Sequence, residues 1–134
     1  MKAPIIVHVN SPLFRDNPDA IYIGRRLSSA YDARAHEHSQ YANPFVIAKP
    51  GTAAFAGCAA TATEAWARWN RGQRRIYVAS RRVALAAYRK YATWMVREGK
   101  WTDLRELSGA VIGCWCAPEP CHGDVLAEIM EGMK

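Results

Sequence analysis

No stretch of this chain is apolar for anything near the roughly 20 residues that span a bilayer, so the sequence offers no membrane-spanning helix. The opening, Met1-Lys2-Ala3-Pro4-Ile5-Ile6-Val7-His8, turns polar too soon for a secretory leader. A cytoplasmic protein is therefore expected, with its four cysteines mostly reduced. Internal repeats, linkers and low-complexity tracts are also missing, and 134 residues suit one domain over positions 1–134. A chain of this size buries roughly two thirds of its unfolded surface and needs no disulfides to fold. Acidic residues are scarce in the middle. Residues 68–100 hold ten Lys/Arg and only Glu98 as an acid, net +9. Residues 1–67 are net +1, residues 101–134 net −4, and the whole chain +6. Such a basic middle either meets phosphates or forms a solvated Arg-rich helix surface, and both readings stand.

What is present is an alternation of strands and helices. Pro4 to Asn10 reads as a strand, followed by the turn formers Ser11, Pro12, Asp16, Asn17 and Pro18. Ala20 to Gly24 reads as a second strand ending at Gly24-Arg25-Arg26, and a polar stretch follows from Ser28 to Gln40. Asn43-Pro44 turns into a short extended piece, Phe45-Val46-Ile47, which Pro50-Gly51 closes. Thr61 and Glu64 form a capping-box pattern for a helix to about Asn70, with Gly72 as its stop. Ser80 caps a helix to Glu98, whose Ala84, Tyr88, Tyr91 and Met95 recur at helical spacing before Gly99. Arg75 to Ala79 between them is either a strand or a helical continuation. Thr102 caps a short helix through Leu107. Ala110 to Trp115 is a continuous apolar run, fitting a strand buried on both faces. Cys116-Ala117-Pro118-Glu119-Pro120 is too proline-rich to continue a sheet. The last helix starts near Cys121, with Val125, Leu126, Ile129, Met130 and Met133 as its apolar stripe. The expected fold is α/β, a small three-layer-like domain. Its short, mostly parallel sheet is flanked by helices, its middle (about 60–100) is basic and helical, and it ends in a strand–turn–helix.

That strand–turn–helix carries the candidate site. In α/β sheets, ligands gather beyond the carboxyl ends of the strands, where the next helix presents free N–H groups. Cys121 and His122 fall in that first turn. A thiol there is expected to have its pKa below the free value of about 8.5, with His122 assisting if it turns to the sulfur as imidazolium. Asp124 sits at N3 if Cys121 is the N-cap, and its carboxylate suits the helix dipole. Gly123 leaves room for a ligand to approach the backbone. Three readings stand. The first is a nucleophilic or ligand-orienting thiol with Cys121 central. The second is a zinc site from Cys114, Cys116, Cys121 and His122, with a suitable ligand count but unusual spacing. The third is simple packing, since free cysteines are among the most buried residues. On an extended strand Cys114 and Cys116 share a face.

The segment Gly113-Cys-Trp-Cys-Ala-Pro-Glu-Pro-Cys-His-Gly-Asp-Val-Leu126 resembles the signature of the DUF4326 family of bacteria, archaea and phages. Tyr22-Ile-Gly-Arg25, Asn43-Pro-Phe45 and Leu104-Arg-Glu-Leu107 resemble its other landmarks. Residues 51–100 match in outline only and are longer than the family's usual helical stretch, and the His36/His38 stretch is a longer link. The Cys-His step is also similar to the DUF488 family. Neither resemblance implies an established reaction. It strengthens the expectation of a site.

Elsewhere, Arg25 is either a fork for a phosphate or carboxylate or a surface arginine at a turn. Asn43, held extended by Pro44, either orients a base or sugar or holds a turn. His36 and His38 suit an exposed loop more than a metal pair. His8 is expected to be structural and Cys58 a small packing residue. Trp66, Trp69, Trp94 and Trp101 are expected mainly as core or cap residues. The functional expectation is an enzyme or ligand-binding domain acting on a nucleotide, nucleic acid or other anionic substrate. Cys121, His122 and Asp124 would be catalytic, and Gly24, Arg25, Asn43, Pro44, Cys116 and Gly123 would be ligand-binding. No cofactor is expected on this reading. The alternative is a non-enzymatic nucleic-acid-binding module, with or without a stabilising zinc.

Overall fold

The computed structural model describes residues 2–133 apart from 28, 29, 31, 102, 103 and 118. In chain order the elements are β1 (Ile5–His8), α1 (Pro12–Arg15), β2 (Ile21–Tyr22), a 3-10 turn (Ala33–His36), β3 (Phe45–Ile47), α2 (Ala53–Ala56), α3 (Ala62–Asn70), β4 (Ile76–Val78), α4 (Arg81–Arg97), a second 3-10 turn (Leu104–Leu107), β5 (Val111–Cys114) and α5 (His122–Glu131). The expected α/β class holds: every strand pair is parallel, and helices flank the sheets. The backbone gathers into two compact units, residues 1–42 with 98–134 and residues 43–97.

In the first unit β5 lies between β1 and β2, with Ile5 opposite Val111 and Tyr22 opposite Gly113. A central parallel strand has no wet face, and the apolar run Val111–Cys114 fits that place. Successive residues of β5 face opposite ways. On one face a Cβ at Gly113 would come within 2.5 Å of Phe14 Cε2 in α1. On the other, the Ile112 side chain packs beneath Gly123 at the start of α5. Helices therefore cover both faces of this strand.

The four residues of α1 escaped the sequence reading because one turn is too short to show a helical period. Ser11 caps it, accepting from the Leu13 N–H, and Pro12 occupies the first turn. Within the polar stretch before Tyr41, residues 32–36 form a capped 3-10 turn. Asp32 caps the 3-10 turn and pairs with Arg34 at 2.8 Å. The Arg34 guanidinium donates to the carbonyls of Phe14, Asn17 and Ala20 and lies 4.1 Å from the Phe14 ring centroid. One side chain thus ties together α1, the approach to β2 and the 3-10 turn. His36 is exposed, with Nε2 bonded to the Ala30 carbonyl, and His38 is exposed. The expected Thr102 cap lies outside the described residues.

In the second unit β3 pairs with β4, so Arg75–Ala79 resolves as a strand. Ile76 and Val78 are buried while Tyr77 is half-buried, the period of two that a three-residue strand barely displays in sequence. Thr61 caps α3, accepting from the Glu64 N–H, while the Glu64 carboxylate expected to complete a capping box pairs with Arg68 and Arg71. Beneath the helices, Tyr91 meets Trp69, Tyr88 and Phe45 at ring-centroid distances of 4.9, 5.7 and 6.3 Å. Among the described residues no helix is long and apolar enough to cross a membrane.

Candidate functional site

The strand order sends the carboxyl ends of β1, β2 and β5 to one edge. There the Val9 N–H bonds the Cys114 carbonyl at 3.0 Å and the Ile23 N–H bonds that of Gly113 at 3.1 Å. After Cys114 the chain turns, with the Glu119 N–H closing on the Cys116 carbonyl at 2.8 Å. It re-enters as α5 with Cys121 as its N-cap. The Cys121 sulfur accepts the Gly123 N–H at 3.3 Å, and Asp124 Oδ2 accepts the Cys121 N–H at 2.9 Å. This is a capping box with a thiol in place of the usual hydroxyl.

The turn returns Cys121 onto Cys114, so that their sulfurs stand 3.1 Å apart, both buried. The two thiols are hydrogen-bonded to each other. That bond, helped by the N–H groups of Ala117 and Cys116, pulls the Cys114 thiol down to about 7 against the opposing effect of burial. Cys121 is pushed up by the same bond, by burial and by the Cys114 charge. The helix N–H groups of Gly123 and Asp124 only partly offset this. The two sulfurs titrate as a pair, one made acidic at the expense of the other.

His122 is also buried. Its Nε2 lies 2.7 Å from the Ile23 carbonyl, an acceptor only, so Nε2 carries the hydrogen. Burial, reinforced by the Arg25 charge, lowers its pKa to about 4, outweighing the Ile23 carbonyl and Asp124. At neutral pH the ring is an uncharged tie from α5 to the end of β2, not the imidazolium partner of a sulfur.

Gly24 follows, and its lack of a side chain has a direct cause. The Tyr22 ring folds back so that a Cβ at Gly24 would come within 2.6 Å of Tyr22 Cζ. The Tyr22 hydroxyl donates to the Arg25 carbonyl and accepts the Trp115 Nε1–H at 2.8 Å. Trp115 in turn meets His8 edge to face at 5.7 Å. His8 accepts the Asn10 N–H through Nδ1, a local structural role. Arg25 is exposed, yet its charge reaches both His122 and Tyr22.

Gly24, Arg25, Cys114, Cys116, Cys121, His122, Gly123 and Asp124 thus belong to one unit and gather around one sheet edge. Asn43 and Pro44 belong to the other. There the Asn43 Oδ1 accepts the Phe45 N–H at 2.8 Å and the Pro44 carbonyl accepts the Ile76 N–H at 3.0 Å, so both residues open β3. Tyr22 and Trp115 were missed as site residues. The pairing of a strand tyrosine with an indole 93 positions later leaves no local signature.

The zinc alternative meets a geometric difficulty. Two sulfurs each about 2.3 Å from a tetrahedral zinc stand about 3.8 Å apart, farther than the 3.1 Å seen here. The His122 Nε2 is turned to a carbonyl. Among the described residues no group of three or more His, Cys, Asp or Glu side chains is arranged to hold a metal ion.

Fold and site together define a small α/β protein with a thiol pair where the central parallel strand meets the next helix. The chain belongs to the DUF4326 family, described as a domain of unknown function, whose family model matches residues 9–132. It is similar to an uncharacterised 12.4 kDa protein of the nrdA–td intergenic region of enterobacteria phage T4, at 38% identity over 53 residues. That match covers 38% of this chain and 49% of the phage protein, about half its length. No solved structure matches the chain.

Proposed function

We propose that the first unit is a thiolate-dependent domain acting on an anionic substrate of the nucleotide or nucleic-acid class. The observation that carries this reading is the Cys114–Cys121 pair, sulfurs hydrogen-bonded 3.1 Å apart at the strand edge where Arg25 also stands. A thiol lowered to about 7 is substantially ionised at neutral pH, which is what a sulfur nucleophile requires. Arg25 supplies a fixed positive charge that attracts the substrate's anionic group. The helix N-terminus serves the sulfurs: the Gly123 N–H already bonds Cys121. His122 and Asp124 act by position, one tying α5 to β2 and the other fixing the cap. Both sulfurs are buried.

The test is a pH titration of thiolate ultraviolet absorbance, joined to a binding screen of mono-, di- and oligonucleotides on the full chain. The wild type is expected to gain one thiolate with a midpoint near pH 7. Cys121→Ala removes the bond between the sulfurs and moves that midpoint up, and Arg25→Ala weakens binding of the ligand found. If Cys114→Ala and Cys121→Ala leave mononucleotide binding and every detected activity intact, the reading fails.

A further inference from the structure

The second unit has its own candidate binding surface, which no part of the thiol chemistry uses. Between α3 and α4 runs a pocket of about 410 Å³ lined by Trp66, Ala86, Arg89, Lys90, Thr93, Trp94 and Arg97. On α4 the lining residues follow helical spacing, so Ala86, Lys90, Thr93, Trp94 and Arg97 share a face. Trp94 meets Trp66 of α3 edge to face, ring centroids 6.0 Å apart. Both indoles are half-buried, and Arg89, Lys90, Thr93 and Arg97 are exposed. The result is an aromatic floor with cations on both sides. Lys90 and Arg97 are about 11 Å apart along the helix axis at 1.5 Å per residue.

The charged residues that line this pocket, Arg89, Lys90 and Arg97, have one sign, with the acid Glu98 following Arg97 in the chain. Residues 43–97 contain ten Lys/Arg and a single acid, Glu64. Glu64 is engaged at 3.0 Å by Arg68 and at 3.3 Å by Arg71, and it does not line the pocket. A helix surface that was merely solvated would not need two large aromatics opening into a concave pocket. A hydrophobic partner alone would not call for the surrounding cations.

We infer that the Trp66–Trp94 groove binds single-stranded nucleic acid, an unstacked base resting against the indoles and the flanking phosphates meeting Arg89, Lys90 and Arg97. Aromatic platforms interleaved with cations are the physical requirements of such binding, and they tolerate any base because every base has a π face. A duplex keeps its bases stacked and gives the indoles nothing to hold. An acidic peptide matches the charge but leaves the aromatic floor without a planar partner.

Fluorescence anisotropy of labelled oligothymidylate and oligouridylate on the full chain, over a salt series, tests this. Binding is expected to weaken linearly in log–log form with salt. The combined variant Arg89→Gln, Lys90→Gln, Arg97→Gln should lower the slope by about 2, three contacts at about 0.7 each. Trp94→Leu should weaken binding roughly 5- to 150-fold. Removing the same charge from the other unit, through Lys2→Gln, Arg15→Gln and Arg105→Gln, should leave affinity nearly unchanged. Trp94→Leu should leave the thiolate titration midpoint where the wild type has it, which separates this inference from the thiolate reading. It is overturned by no binding at low salt, or by equal losses from the two triple variants. Duplex DNA of equal length binding as tightly, or polyglutamate displacing the oligonucleotide as well as a second oligonucleotide does, overturns it too.

Discussion

His122 shows how one buried ring sets a pH dependence. Its pKa is about 4 in the folded chain, below the roughly 6.5 of an unfolded histidine. Between those values the unfolded chain binds the extra proton. Stability from this residue is therefore complete above about pH 6.5 and is lost as pH falls towards 4. The full shift corresponds to roughly 3 kcal/mol. Urea unfolding midpoints of the wild type should drop across that window more steeply than those of His122→Gln, which keeps a donor for the Ile23 carbonyl without a titrating group. Parallel curves for the two proteins would show that His122 is not the residue responsible. Arg34 makes a different point. Its bonds to the carbonyls of Phe14, Asn17 and Ala20 need a planar fork with several donors. Arg34→Ala should destabilise by about 2–3 kcal/mol, and Arg34→Lys should recover little of it.

At the scale of elements, β5 is the strand on which most depends. Gly113 lies where its neighbours on both sides are strands and where Phe14 of α1 closes over its face. Gly113→Ala should cost about 3 kcal/mol or more, since the added methyl meets an aromatic ring that is itself fully buried. The midpoint of thermal unfolding is the measurement. Gly123→Ala is a milder case, because its Cβ would meet the Ile23 and Ile112 methyl ends at 3.1 and 3.4 Å and those can shift. The α5 cap shows a sequence signal that was local and therefore readable. A cysteine followed three residues later by an aspartate, after prolines and before an apolar stripe, is a helix start whatever packs around it.

For the molecule as a whole, charge is divided between the two units. Residues 43–97 carry net +9, and the rest, with eight Lys/Arg and eleven Asp/Glu, net −3. The expected consequence is that added salt weakens any polyanion bound to residues 43–97 without changing the fold. Folding is also expected to be independent of metal. The sulfur pair stands closer than two tetrahedral zinc ligands would, and the His122 Nε2 faces a carbonyl. Extended dialysis against a chelator should leave the melting temperature unchanged, and elemental analysis should find no stoichiometric zinc. A large drop in melting temperature after chelation would reverse that conclusion.

The sequence by itself determined the α/β class, the main strands and long helices, the cap at Cys121 and the segment Gly113–Asp124 as the place to look. Those features rest on apolar periodicity and capping chemistry, which act over a few residues. The one-turn α1 and α2 and the three-residue β4 fall below the length at which a period declares itself. The tertiary structure alone decided that β5 is central, that Cys114 and Cys121 stand sulfur to sulfur, and that His122 is a neutral tie. It also decided that Trp66 and Trp94, expected as core or cap residues, open into a cationic groove. Each of these depends on which residues distant in the chain are brought together: Ile23 with His122, Tyr22 with Trp115, α3 with α4. Burial, the bond between the sulfurs and pocket shape arise from such pairings, and no local pattern encodes them.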